Sequence, residues 1–582
     1  MLNYSIDSMK TILSLILAMQ LVALPLYAQQ PIIAGSDQFP VTGKREPVKA
    51  KQGMVVASEP LAAKEALKVL KKGGNAVDAA VTLGLVLAVT LPRAGNLGGG
   101  GFMLIAKKNG RVAALDFREK APLAATEDMF LDSEGNPNPD KSRFSALASG
   151  VPGTVAGMHL ALLRYGTISW PEALAPAIRL AEEGFLVSEE FAIELKRREE
   201  MLKKWPSTEK IFFNWGKPYQ AGDNFKQPDL AKTLRLLAKE GPDAFYKGEI
   251  AERIVRQMEK TGGLITMEDL KLYYPALRRP IRGVFREHEI LSMGPPSSGG
   301  THVIQILNIL ENYKLRRLGQ KSARHTHYLA EAMKYAYADR AKYMGDMDFV
   351  RVPLTKLTSQ SYANRQKRRI SSKRATPSKK IYPQGVRPKE STNTTHYSIV
   401  DHWGNAVSTT TTLNFSFGNG MVVDGTGFLL NNQMDDFSAK PGTANAYGLI
   451  GSKANKIEPK KRMLSSMSPT IVRRRGQVVL VTGSPGGSRI ISTTTQVILN
   501  VLEHRMNIQQ AVDAPRMHHQ WMPDLLRLEE GFDEKTIDRL KSLGHKVEIS
   551  RPMGAAQSIY RDKKGRLFGA SDPRRGGLAI GY

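Results

Sequence analysis

The chain has 582 residues, with 83 Lys and Arg against 55 Asp and Glu, a formal charge of 83 − 55 = +28. The absence of cysteine excludes disulfides, thiol catalysis and a cysteine-borne lipid anchor. Aromatic residues make up only 7% and no nucleic-acid-binding motif accompanies the charge, so nucleic acid is not an expected partner; the length calls for several cores or one large multilayer domain.

Residues 1–28 read as a signal peptide. Lys10 precedes the apolar run Thr11 to Leu26, "TILSLILAMQLVALPL", and "LYA" predicts cleavage after Ala28. The run is short for a membrane span and no later stretch is long and apolar enough, so the expectation is a periplasmic or secreted protein without a membrane anchor. Next, Ala63, Ala66, Leu67 and Leu70 recur at helical spacing, and Gly73-Gly74 ends that helix. A nearly all-apolar helix from Ala76 to Val89 follows, closed by Pro92, and its composition predicts burial. "GNLGGGGFMLIA" is a glycine loop feeding a strand, and "RVAALDFREKAP" is its hairpin partner across Asn109-Gly110. Residues 150 to 345 are mainly helical in pattern. Periodicity then lapses over 351–393, where residues 361–380 carry eight Lys or Arg and no acid, predicting a mobile basic segment.

Strands begin at Thr394. "TTHYSIVD" and "AVSTTTTL" pair across "HWGN", "SPTIV" and "QVVLVTG" pair across "RRRG", and a helix starts near Ser488. β-Branched threonines suit a strand start, so "STNTTHYSIVD" has an ordinary reading. The chemical reading is that the Asn393–Thr394 bond is cut. The Thr394 hydroxyl would attack the Asn393 carbonyl, the acyl group would shift from nitrogen to oxygen, and water would release the ester. The freed α-amine, of pKa near ~8 in model peptides, could then serve as the base for its own hydroxyl. The glycines of "TGSPGGSR", between a strand and a helix start, can aim backbone N–H groups at developing negative charge; the loop lacks the Gly-Lys-Ser/Thr ending of a phosphate loop.

The stretches "TTHYSIVD", "GNAVSTTTTLN", "LLNNQMDDFSAKPG", "KRMLSSMSPT" and "VTGSPGGSR", with "GNLGGGGFM", "LDFREKAP", "GVPGTVAGM", "GPPSSGG", "DAPRMHHQW" and "GASDPRRGG", resemble the γ-glutamyltranspeptidases, or glutathione hydrolases, from about residue 45 to the C-terminus. The resemblance implies an α+β fold, the four-layer αββα sandwich of N-terminal-nucleophile hydrolases. It implies a precursor that cleaves itself into a large subunit (29–393) and a small catalytic subunit (394–582), which stay together as a heterodimer. It implies transfer of a γ-glutamyl group from glutathione or another γ-glutamyl compound to water or to an amino-acid or dipeptide acceptor, without a cofactor. Carried over residue by residue, Thr394 is the nucleophile, Thr412 steadies it, and Gly486 and Gly487 form the oxyanion hole. Arg118, Ser465 and Ser466 take the substrate α-carboxylate; Asp436, Asn414 and Gln433 take its α-ammonium. Tyr447 lies in a lid loop that acylase relatives often lack.

His518-His519 and His325-x-His327 lack a spaced third ligand and read as structural or surface histidines, so no metal is expected. Two other readings stand beside the first: an acylase of the same fold acting on glutaryl-type side chains, and a non-enzymatic protein binding anionic polymers through its basic surface.

Overall fold

The computed structural model describes residues 45–381, 394–440 and 450–582. The signal peptide, Asn393 and Tyr447 fall outside these residues. Among the described residues no helix is long and apolar enough to cross a membrane.

Two seven-stranded sheets face each other. In chain order their strands are β1 (Val48–Ala50), β2 (Met54–Ala57), β3 (Gly100–Ala106), β4 (Val112–Asp116), β5 (Ala276–Arg278), β6 (Ile281–Phe285) and β7 (His288–Ser292). Beyond the basic segment come β8 (Thr395–Val400), β9 (Ala406–Thr412), β10 (Thr470–Arg474), β11 (Gln477–Thr482), β12 (Gln557–Arg561), β13 (Leu567–Ser571) and β14 (Leu578–Gly581). The first sheet runs β14-β2-β8-β9-β3-β4-β5 and the second β1-β13-β12-β11-β10-β7-β6.

Period-2 alternation explains the layering. On β2 and β3, Met54, Val56, Phe102 and Leu104 point between the sheets, where they meet Leu291, Ile471, Val481 and Ile559 of the second sheet. Their neighbours Val55, Ala57, Met103 and Ile105 point outward into a helical layer. The outward face of the second sheet, with Ile290, Val472 and Leu480, packs on a second helical layer. The result is the αββα sandwich that the motifs imply.

The outer layer of the first sheet includes α1 (Pro60–Lys71) and α2 (Ala76–Thr90). All fifteen residues of α2 are buried, as its composition requires. Asn75 caps it by accepting from Val77 and Asp78 N–H, and the Asp401 carboxylate accepts from Ala76 N–H at 2.9 Å. The layer on the second sheet includes α3 (Gly299–Leu310), α4 (Ala323–Tyr343) and α5 (Arg489–Leu502).

Strands from both sides of residue 393 interleave. β8 lies between β2 and β9 in the middle of its sheet, with Tyr397 opposite Ala57 and Thr395 opposite Thr411. In the other sheet β10 pairs with β7 and β13 with β1. A break before Thr394 would leave both pieces sharing both sheets.

The basic segment is more regular than its composition suggests. Leu354–Leu357, Gln360–Arg369 and Ser378–Ile381 are helical, which corrects the expectation for residues up to 381. The reason is a buried polar clamp on α4. Glu331 accepts from Thr376 N–H (3.1 Å), Lys334 donates to Thr376 O (2.9 Å), and His327 Nε2 lies 2.7 Å from Ser371 O. From the C-terminal part, Asp524 accepts from Ser378 N–H and Trp521 Nε1 donates to Ser378 O. Backbone polar groups are satisfied here by distant side chains, a pattern that local composition does not carry.

Candidate active site

Thr394 sits immediately before β8, in the core of a polar cleft. Its hydroxyl lies 3.3 Å from the Thr412 hydroxyl at the end of β9. Thr412 Oγ1 also accepts from Asn414 N–H at 2.8 Å. Asn414 adopts φ +75°, a left-handed conformation that Asn tolerates better than most residues, and its side chain donates to Asn432 O.

Arg118, Thr394, Thr412, Asn414, Gln433, Asp436, Ser465, Ser466 and Gly487 line one cleft. Its volume is about 30 Å³, and it is open to solvent on one side. Arg118 follows β4 and is 1% exposed. Its guanidinium pairs with Asp436 and also donates to Met463 O at 3.2 Å and Leu464 O at 3.4 Å. Asp436 additionally accepts from Gln433 Nε2 at 2.6 Å. Two polar atoms here are buried and make no hydrogen bond among the described residues: Gln433 Oε1, an acceptor, and the Ser466 hydroxyl, a donor. Ser465 is held differently. Its carbonyl accepts from Ser298 N–H and hydroxyl, and its own hydroxyl accepts from Met467 N–H.

Gly486 and Gly487 join β11 to α5 with φ of +131° and +56°. These values are the reason for glycine at both positions. Neither N–H donates to a backbone carbonyl among the described residues. Gly487 lines the cleft; Gly486 stands one residue behind it.

Two cleft groups escaped the sequence reading. Arg340, near the C-terminal end of α4, donates to the Ser298 hydroxyl at 2.9 Å, and its burial lowers its pKa to about 10. A charged residue within "YADRAKY", the last turns of a helix, gave no pointer to a site. Glu119 is fully buried behind Arg118, with a carboxylate oxygen 3.7 Å from the guanidinium. Desolvation pushes its carboxyl up to about 7, against the opposing pull of Arg118.

His396, the histidine nearest Thr394 in sequence, is not in the cleft. Its Nδ1 lies 2.8 Å from the Thr410 hydroxyl and its Nε2 3.2 Å from that of Ser398. Burial lowers its pKa to about 3, so it is neutral across the working range.

The four histidines of the sequence pairs, His325, His327, His518 and His519, are buried. His518 bonds Ser492 and Gln520, and His519 approaches Asp524 at 3.3 Å. His327 does gain companions that the sequence reading missed: Glu331 one turn along α4, and His545 from 218 residues away. The Lys334 ammonium, 3.1 Å from Glu331, already supplies positive charge there. A divalent ion would have to share a buried site with that cation, and hydrogen bonds account for His327 without one.

Residues 62–582 match the family model described as gamma-glutamyltranspeptidase. The chain is 53% identical over 538 residues to the glutathione hydrolase proenzyme of Escherichia coli K12, covering 92% of this chain and 93% of that one. The crystal structure of Helicobacter pylori gamma-glutamyltranspeptidase superposes with a TM-score of 0.56 at 49% identity, covering 59% of this chain and 97% of that chain. The cephalosporin acylase of Bacillus halodurans superposes with a TM-score of 0.82 at 28% identity, covering 96% and 99%. A family match across nearly all of the described chain, with a relative above half identity, decides the assignment: this chain belongs to the γ-glutamyltranspeptidase family.

Proposed function

We propose that the chain is a proenzyme that cleaves before Thr394 and then acts as a γ-glutamyltransferase and glutathione hydrolase. The observation that carries this reading is one cleft holding the Thr394 hydroxyl together with the Arg118–Asp436 ion pair. A γ-glutamyl group ends as a free amino acid, with a carboxylate and an ammonium on one carbon. A cation and an acid side by side can each exchange their mutual contact for one end of that zwitterion, so no buried charge is left unpaired. Arg118 takes the α-carboxylate with Ser465 and the unengaged Ser466 hydroxyl. Asp436 takes the α-ammonium with Asn414 and the unengaged Gln433 Oε1.

The γ-carbonyl then lies against Thr394. The Thr394 amine removes the hydroxyl proton, oxygen adds to the carbonyl carbon, and the oxyanion is met by Gly486 and Gly487 N–H. Collapse breaks the amide C–N bond, and the departing amine takes the proton. Water or the amine of an amino acid or dipeptide repeats the attack on the ester and restores the hydroxyl. The large (29–393) and small (394–582) pieces form the heterodimer, and the predicted leader places the enzyme in the periplasm or outside the cell.

The acylase reading is favoured by the superposition on the cephalosporin acylase. A glutaryl group has no amine, so it would give Asp436 nothing in exchange for its Arg118 contact. Parallel assays of a γ-glutamyl anilide and a glutaryl anilide on the mature protein separate the two. Release from the γ-glutamyl compound at least tenfold faster is expected. Faster release from the glutaryl compound overturns the reading.

A further inference from the structure

Two adjoining clefts, of about 400 and 860 Å³, share His288, Arg474, Tyr560 and Lys563. They open at the opposite end of the second sheet from Thr394. β10 starts at Thr470, close after the cleft-lining Ser465 and Ser466, and β11 ends at Thr482, close before Gly487. The turn joining these strands, at Arg475-Gly476, is therefore one strand length away, roughly 17 Å. The walls are this turn, the β6–β7 turn, the β12–β13 turn, and the chain leaving the C-terminal end of α5.

The lining is strongly basic, and its acids are already committed. Glu503 is taken by Arg286 at 2.7 Å and by Arg316 N–H, and Asp562 by Arg566 at 2.8 Å. Arg474 is occupied by Glu287. The exposed side chains of Arg316, Arg475, Arg505 and Lys563 have no carboxylate within ion-pair distance among the described residues. Arg475 and Arg505 also occupy left-handed backbone (φ +49° and +57°), where glycine or asparagine would cost less. Local folding thus gives no reason for arginine at either place.

We infer that this end of the molecule binds a flexible chain of phosphate groups. Four unpaired cations around a concave surface neutralise closely spaced anions, and the concavity fits a chain better than a flat bilayer. Tyr560 and His288 are the only rings in the lining, so the bases of a nucleic acid would find few faces to stack on. Docking here leaves the Thr394 cleft, at the other end, open to small substrates.

The test uses mature enzyme and linear inorganic polyphosphate of defined length, titrated at several salt concentrations. Arg475→Glu/Arg505→Glu/Lys563→Glu should weaken binding at least tenfold near 0.1 M salt. It should also flatten the log–log salt slope by about 2, at roughly 0.7 per lost phosphate contact. A matched triple, Lys239→Glu/Arg256→Glu/Lys260→Glu, changes net charge equally on distant exposed helices and should leave binding near wild type. Both triples should keep wild-type γ-glutamyl anilide kinetics, which also reports correct folding, and saturating polyphosphate should not inhibit. Equal weakening by both triples would reduce the effect to net charge. Competitive inhibition by polyphosphate would move the ligand to the catalytic cleft. Tighter binding of single-stranded DNA or of anionic vesicles through the same three residues would replace the phosphate chain by a nucleic acid or a membrane. Each of these results overturns the inference.

Discussion

Arg118 and Asp436 contact each other at 2.5 Å inside the cleft that holds Thr394. The pair is buried on the arginine side and is backed by Met463 and Leu464 carbonyls, so the guanidinium is held in place while the carboxylate is the more accessible partner. A zwitterionic ligand can insert between them because it offers each partner a replacement charge.

The first prediction tests the arginine fork. Arg118→Lys keeps the charge but loses the planar, two-toothed contact, so KM for a γ-glutamyl anilide should rise. Loss of one charge-assisted hydrogen bond in a closed site costs about 1.5–3 kcal/mol, or roughly tenfold or more in KM. Cleavage before Thr394 should persist. An unchanged KM removes Arg118 from substrate binding.

Much of this site was legible because its residues sit in long ordered motifs, and the motif positions Arg118, Thr412, Asn414, Gln433, Asp436, Ser465, Ser466 and Gly487 do converge on Thr394. The layering was legible from alternation on strands such as Phe102-Met103-Leu104-Ile105, whose side chains divide between two cores. What stayed hidden depended on distant partners. Nothing near residue 371 signals that His327, Glu331 and Lys334 will bind that segment. Nothing near Arg340 signals that α4 carries it into the cleft. His396 lies two residues from Thr394, and that nearness in sequence does not carry its imidazole into the cleft. His396 points at Thr410 and Ser398 between the sheets.

The second prediction concerns processing. Cleavage at Asn393–Thr394 after removal of residues 1–28 yields pieces of 393 − 28 = 365 and 582 − 393 = 189 residues. Thr394→Ala should run as one uncut chain on a denaturing gel. Wild type should show two bands there, yet behave as one species under native conditions, since β8 is paired on both edges. Splitting of purified Thr394→Ala at the same bond would exclude the hydroxyl as the agent.

The third prediction assigns the base. A histidine whose pKa is lowered to about 3 is neutral at every pH above about 4, so it cannot produce a loss of activity between pH 6 and 8. The Thr394 amine, near ~8 in model peptides, can. In mature His396→Asn, kcat/KM should therefore retain a single-ionisation fall on the acid side, with its midpoint unmoved. Disappearance of that limb in a correctly processed variant would hand the role to the imidazole.

The last prediction follows from Glu119. Its folded pKa is raised from 4.5 to about 7, with desolvation as the main cause and Arg118 pulling the other way. A raised carboxyl binds its proton more tightly in the folded state than in the unfolded one. Its contribution to stability is thus complete below pH 4.5 and is lost as pH climbs through 7. At about 1.4 kcal/mol per unit, the full swing is about 3 kcal/mol. Glu119→Gln cannot ionise, so this dependence should vanish while the side chain keeps its size and polarity. Denaturant midpoints of uncut Thr394→Ala, with and without Glu119→Gln, should diverge between pH 5 and 8. The protein that keeps Glu119 should lose stability relative to the one carrying Glu119→Gln as pH rises toward the alkaline side. Parallel curves would mean that Glu119 is already ionised at pH 5, with the Arg118 guanidinium outweighing the cost of its burial.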